Sequence, residues 1–153
     1  MLEYMISDLR HEQELLATPM VIQLYEAFHA NDLEQIIKFI KSIFKNIPYH
    51  IFLSKAEAYY HSLIYLVFFY LGQYTESEVN TSDGRLDCVV QSPTHIYILE
   101  FKLDESAETA LAQIEAHGYA DKYAADARPK VLIGINFSSQ TKTVDDWLKE
   151  DVE

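Results

Sequence analysis

Arg85-Leu86-Asp87-Cys88-Val89-Val90, then Gln91-Ser92-Pro93-Thr94, then His95-Ile96-Tyr97-Ile98-Leu99-Glu100-Phe101-Lys102-Leu103: this stretch decides how the chain is read. Two β-rich runs flank a polar turn that contains proline, the pattern of a hairpin. Side chains alternate along a strand, so Ile96, Ile98, Glu100 and Lys102 share one face and Tyr97, Leu99, Phe101 and Leu103 the other. On the preceding run Arg85, Asp87 and Val89 share a face, and Leu86, Cys88 and Val90 the opposite one. A hairpin that pivots between Pro93 and Thr94 sets Asp87 across from Glu100, and a slip of one residue would break that pairing.

Opposed carboxylates at the end of an apolar face repel unless something compensates. A divalent cation is the natural compensator. Mg²⁺ is hard and oxygen-seeking, and is typically held by one or two carboxylates with waters and substrate phosphate. Lys102, two residues on, would then orient a water or neutralise charge developing on a phosphoryl oxygen. The competing reading is an ordinary ion pair of Lys102 with Glu100 or Asp87 where the strands meet solvent. On those residues alone the ion pair is the stronger reading. The aspartate across the predicted hairpin and the helix that follows at once shift the weight toward a metal site.

Working outward, Ser54 to Gly72 reads as a helix. Ser54-Lys55-Ala56-Glu57 fits a capping box, and Gly72 suits a left-handed C-terminal cap. Its apolar residues, Leu63, Ile64, Leu66, Val67, Phe68 and Leu71, predict packing against a sheet. A first strand is expected over Tyr74 to Val79, with a turn at Asn80 to Gly84 leading into the hairpin. After it a helix starts near Ser106, with Ala107, Ala110, Leu111 and Ile114 as its apolar stripe, and ends around Gly118. Lys130 to Phe137 is a nearly continuous apolar run, the mark of a strand buried on both faces. A short tail with Trp147 follows.

The first 46 residues read as two or three helices. Asn31-Asp32-Leu33-Glu34 is a helix start, and Leu33, Ile36, Ile37, Ile40 and Phe44 follow at helical spacing. Lys38, Lys41 and Lys45 lie on another face, read as solvated. The expected architecture is therefore α/β: a four-stranded mixed sheet flanked by the Ser54 and Ser106 helices. Residues 1–48 form a helical appendage and 49–153 the sheet domain.

The length, 153 residues, and a content of 49% hydrophobic and 24% charged residues fit one packed domain. The run from Leu63 to Leu71 is far shorter than the roughly 20 apolar residues of a membrane span. The acidic start lacks the features of a signal peptide, so a cytoplasmic setting is expected. Cys88 is the single cysteine, which excludes an internal disulfide and a cysteine-rich zinc site. The histidines show no metal-ligand spacing. Twelve basic against 24 acidic side chains give a net charge of -12, which opposes non-specific attraction to a polyanion.

Gly84 to Val90, Ile96 to Leu103 and Ala110-Leu111-Ala112-Gln113-Ile114 together resemble the PD-(D/E)XK nuclease superfamily. The resemblance extends to Glu57-Ala58-Tyr59-Tyr60-His61 and to Ile133-Gly134-Ile135-Asn136-Phe137. It is nearest to the nuclease-like domain at the C-terminus of bacterial proteins that begin with an AAA-ATPase-like domain. It implies a restriction-endonuclease-like fold and metal-dependent cleavage of nucleic acid, DNA being the expected substrate. By that resemblance Asp87, Glu100 and the main-chain carbonyl of Phe101 are ligands of Mg²⁺ or Mn²⁺. Lys102 is the catalytic lysine, Glu57 a helix acid facing the site, and Gln113 a residue near the metal or the scissile strand. Exonuclease-type members often place tyrosine four residues after that glutamine. That position is His117 in this chain, and Tyr119 departs from the spacing. Leu86 stands where the superfamily has proline. No Gly-x-x-x-x-Gly-Lys-Ser/Thr loop is present, so an ATPase-like domain would be a partner supplied elsewhere. The alternative expectation is a non-catalytic domain of the same fold that binds nucleic acid or a partner protein.

Overall fold

The structure is a computed structural model that describes residues 17–45, 49–82 and 85–152. Helices α1 (Ala17–His29), α2 (Leu33–Ile43) and α3 (Tyr49–Leu71) precede strands β1 (Glu76–Ser82), β2 (Arg85–Gln91) and β3 (Ile96–Leu103). Helices α4 (Ala107–Ala116) and α5 (Tyr119–Lys122) follow, then strands β4 (Lys130–Ser138) and β5 (Thr143–Val152). The five strands lie side by side in sequence order. Only β3 and β4 run parallel, because α4 and α5 form the crossover between them. The other neighbours are antiparallel.

Strand parity divides the interior in two. Leu86, Cys88, Val90, Tyr97, Leu99, Phe101, Val131, Ile133, Ile135 and Phe137 face α1, α2 and α3 and form the larger core with residues such as Leu24, Phe28, Ile36, Ile40, Ile64 and Phe68. Val89, Ile96, Ile98 and Leu132 face the other way, against Ile114 of α4. The N-terminal helices are tied to this frame by Tyr97. Its hydroxyl lies 2.9 Å from the Phe28 carbonyl oxygen and 2.8 Å from Asn31 Oδ1, its single proton shared between these acceptors, and burial pushes its pKa up to about 12.

Several local expectations hold. Asp32 caps α2 by accepting from the Gln35 amide at 3.1 Å, and Ile36, Ile37 and Ile40 are buried. Ser106 caps α4 by accepting from the Thr109 amide, with Ala107, Ala110 and Ile114 buried. Lys38, Lys41 and Lys45 are exposed.

Others are corrected. Helix α3 begins at Tyr49, so Ser54 and Glu57 lie inside it and not at its start. Gly72 closes α3 without a left-handed backbone, its amide bonded to the Phe68 and Phe69 carbonyls. Strand β1 runs on to Ser82, through residues expected in a turn.

The sheet has five strands, not four, because the tail around Trp147 is the edge strand β5. Its period was hidden by a bulge. Phe137 pairs with Val144 and Ile135 with Trp147, so an extra residue lets two apolar side chains three positions apart face one core. Its other residues, mostly charged and exposed, suit an edge.

Candidate active site

Strand pairing sets Asp87 directly opposite Glu100, and both fall on the α4 side of the sheet, away from the larger core. Both are buried, at 2% and 0% exposure. Lys102 follows on the same face at 8% exposure. Its Nζ lies 3.9 Å from Glu100 Oε1 and 3.9 Å from Glu105 Oε2, longer than a hydrogen bond. The lysine therefore sits between an inner and an outer carboxylate. Glu105 is half exposed, so it can give way without disturbing the core.

The two neighbouring strands build the surroundings. On β1, Asn80 pairs with Asp87 and donates through Nδ2 to Asp87 Oδ1 at 3.0 Å. On β4, Gly134 pairs with Glu100 and Asn136 with Lys102. A Cβ at Gly134 would meet the Ala107 carbonyl oxygen at 2.5 Å and the Leu111 amide at 2.8 Å. The absence of that atom is what lets α4 lie directly over the sheet beside Glu100. Asn136 is buried; its Oδ1 accepts from the Glu105 amide at 2.9 Å and its Nδ2 donates to Asp145 at 2.8 Å. The bond from the Glu105 amide anchors the turn from β3 into α4. The same turn holds Asp104 at φ 55, its carboxylate accepting from the Ser139 amide and hydroxyl.

The crossover contributes Tyr119. Helix α4 stops at Ala116, and Gly118 adopts φ 67, which redirects the chain so that the Tyr119 hydroxyl donates to Asp87 Oδ1 at 3.1 Å. His117 stands at the tyrosine spacing of the resemblance but stays with its own helix, its Nδ1 2.6 Å from the Gln113 carbonyl oxygen.

Of the residues expected at the site, the structure brings Asp87, Glu100 and Lys102 together. The ring of Phe101 is buried in the larger core, so only its main chain lies between the two charged residues of β3. Gln113 is on α4, on the flank opposite Glu115, whose side chain reaches toward Glu150 of β5. Its Oε1 is buried with no hydrogen-bond partner among the described residues. Glu57 lies in α3, but its side chain is outside the described residues. Asn80, Asn136, Gly134 and Glu105 were not singled out for this site by sequence. The register of β1 and β4 against the hairpin would have pointed to the first three.

Burial pushes the Cys88 thiol well above its ordinary pKa, and the neighbouring Asp87 and Glu100 charges push it further. It is an inert core group. Among the described residues no group of three or more His, Cys, Asp and Glu is arranged to hold a metal ion. Two opposed carboxylates and a main-chain carbonyl are still a donor set that suits Mg²⁺ or Mn²⁺, which complete their shells with water and phosphate; it does not suit zinc. A cleft of about 490 Å³ runs over the adjoining face of β1 and β2, lined by Glu76, Glu78, Val89, Gln91 and Gly72 among others.

A profile of the PD-(D/E)XK nuclease superfamily matches residues 55–147. The chain belongs to the PD-(D/E)XK nuclease superfamily. Its mixed sheet between helices is the restriction-endonuclease-like fold of that superfamily. It is also 35% identical over 136 residues to an uncharacterised protein in the vnfD 5′ region of Azotobacter chroococcum mcd 1. That alignment covers 85% of this chain and 26% of the relative. The chain thus spans about a quarter of the relative's length. Among the described residues no helix is long and apolar enough to cross a membrane.

Proposed function

We propose that this domain is a metal-dependent nuclease that hydrolyses phosphodiester bonds, with DNA as its substrate. The observation that carries the reading is Asp87 opposed to Glu100 on one sheet face with Lys102 two residues on, in a chain of a nuclease superfamily. Asp87, Glu100 and the Phe101 carbonyl would hold Mg²⁺ or Mn²⁺. A cation held there would supply Lewis-acid polarisation of a phosphoryl oxygen and a lowered pKa for an attacking water.

The chain's own residues supply the rest. Lys102 is too far from either glutamate for a tight ion pair, so its ammonium can turn toward the incoming phosphate. There it orients the water and stabilises the negative charge on the phosphoryl oxygens. Water forms the new P–O bond, the old one breaks, and the products are a phosphate monoester and a free hydroxyl. Helix α4 covers the inner side of the site and keeps bulk water from Glu100. Gln113 and Glu57 are proposed to complete the site, Gln113 by offering its buried amide to the scissile strand.

A second reading, a non-catalytic domain of the same fold, is favoured by the net charge of -12 and by Glu76 and Glu78 in the adjoining cleft, where a polyanion would be repelled. Under the nuclease reading the strand approaches instead from the Lys102 end of β3. An AAA-ATPase-like domain is a proposed partner, supported by the domain resemblance and by the relative's greater length.

The test is incubation of the purified protein with single- and double-stranded DNA and RNA in Mg²⁺, in Mn²⁺ and in chelator. Degradation that requires the metal supports the nuclease. No degradation in any metal, whether or not nucleic acid is retained, supports the non-catalytic domain that binds nucleic acid or a partner protein.

A further inference from the structure

Two neutral donors converge on one oxygen of Asp87. Asn80 Nδ2 arrives from β1 at 3.0 Å and the Tyr119 hydroxyl from α5 at 3.1 Å. They belong to different elements. Asn80 is the cross-strand partner of Asp87, whereas Tyr119 is delivered across the sheet by the left-handed turn at Gly118.

A terminal carboxylate torsion is broad and weakly restrained by its own bonds. Asp87 also faces a like charge on Glu100, which favours its turning away. We propose that Asn80 and Tyr119 are positioning residues, which together fix the rotation of the Asp87 carboxylate so that it stays directed at the cation position it shares with Glu100. The proposal rests on the reading of Asp87 and Glu100 as a divalent-cation site. Two donors are needed because one bond leaves the carboxylate free to swing about it, and a second from another element removes that freedom. Groups that hold a metal ligand in this way typically account for 10–100-fold in metal affinity.

Tyr119 also packs its ring against the smaller core, so its hydroxyl must be tested apart from its ring. Tyr119→Phe removes only the hydroxyl. Asn80→Val removes the donor and keeps a strand-favouring side chain. Mn²⁺ affinity of the full chain is measured by the loss of the free-ion paramagnetic resonance signal, with melting in chelator followed alongside.

The expected result is that each variant binds Mn²⁺ about tenfold more weakly than wild type. Tyr119→Phe should melt near wild type in chelator, a pattern that a merely structural bond does not give. Wild-type affinity in both variants would overturn the clamp and leave the metal site standing. No Mn²⁺ binding by the wild type would overturn the clamp together with the site. If Asn80→Val does not fold, Tyr119→Phe decides alone, since it leaves both the packing and the strand intact.

Discussion

One added methyl group at Gly134 should unseat α4. The Cβ of Gly134→Ala would lie 2.5 Å from the Ala107 carbonyl oxygen, 2.8 Å from the Leu111 amide and 3.1 Å from the Ala110 Cβ. Carbon atoms pack at roughly 3.5–4.0 Å, so the nearest contact is short by about 1 Å. Two of the three obstacles are helix backbone, which cannot rotate aside as a long side chain would. The helix must withdraw as a body. Overpacking of this kind costs about 1–3 kcal/mol, and a backbone obstacle puts it at the upper end. At about 2–4 °C per kcal/mol for a chain of this size, melting should fall by roughly 5–10 °C. Withdrawal of α4 also carries α5 and Tyr119 away from Asp87, so Mn²⁺ affinity should fall in parallel. Gly72→Ala is the control. Its Cβ meets the Phe69 carbonyl at 3.1 Å and nothing else closer than 3.6 Å, so the loss should be below about 1 kcal/mol. Thermal melts of the three proteins, with Mn²⁺ titrations of each, make the comparison. If Gly134→Ala melts with wild type, α4 is not seated on β4 as described.

Two further outcomes are expected. Asp87→Asn removes one of two opposed charges and should leave the metal-free protein as stable or more stable, unlike most changes at a buried position. In Mn²⁺ at a hundred times Kd the wild type should gain about 2.7 kcal/mol, and the variant should lose most of that gain; melts at fixed ionic strength measure both. Cys88, fully buried and with its thiol pKa raised by burial and by two neighbouring carboxylates, should resist alkylation at pH 8 in the native protein and react fully once unfolded, as followed by mass spectrometry.

The pairing of Asp87 with Glu100 was legible because both depend on period-two alternation and one short turn, both local. The caps at Asp32 and Ser106 were legible for the same reason, each being a short-range bond within four residues. What escaped the sequence was non-local or irregular. Strand β5 escaped because a bulge near Asp145 breaks its alternation and its edge position needs few apolar residues. The N-terminal half-turns of α3 escaped because Ser54 and Glu57 mimic a start inside a helix already under way. Asn80 was taken for a turn residue, since only the length of β1, set by pairing with β2, brings it opposite Asp87. Tyr119 was out of step with the expected spacing, and only the left-handed turn at Gly118 explains how it reaches Asp87 all the same. Gly134 and Asn136 depend on the parallel register of β3 with β4, which no local pattern encodes.

The central claim, that Lys102 acts on a phosphodiester beside a cation held by Asp87 and Glu100, is tested most directly by Lys102→Ala. An ammonium is no metal ligand, so the variant should bind Mn²⁺ nearly as the wild type does while losing at least about a hundredfold in the rate of cleaving an end-labelled oligonucleotide, the scale expected for removing one group that stabilises developing charge. Equal cleavage by Lys102→Ala and wild type, or cleavage by the wild type that survives chelator, would contradict the account.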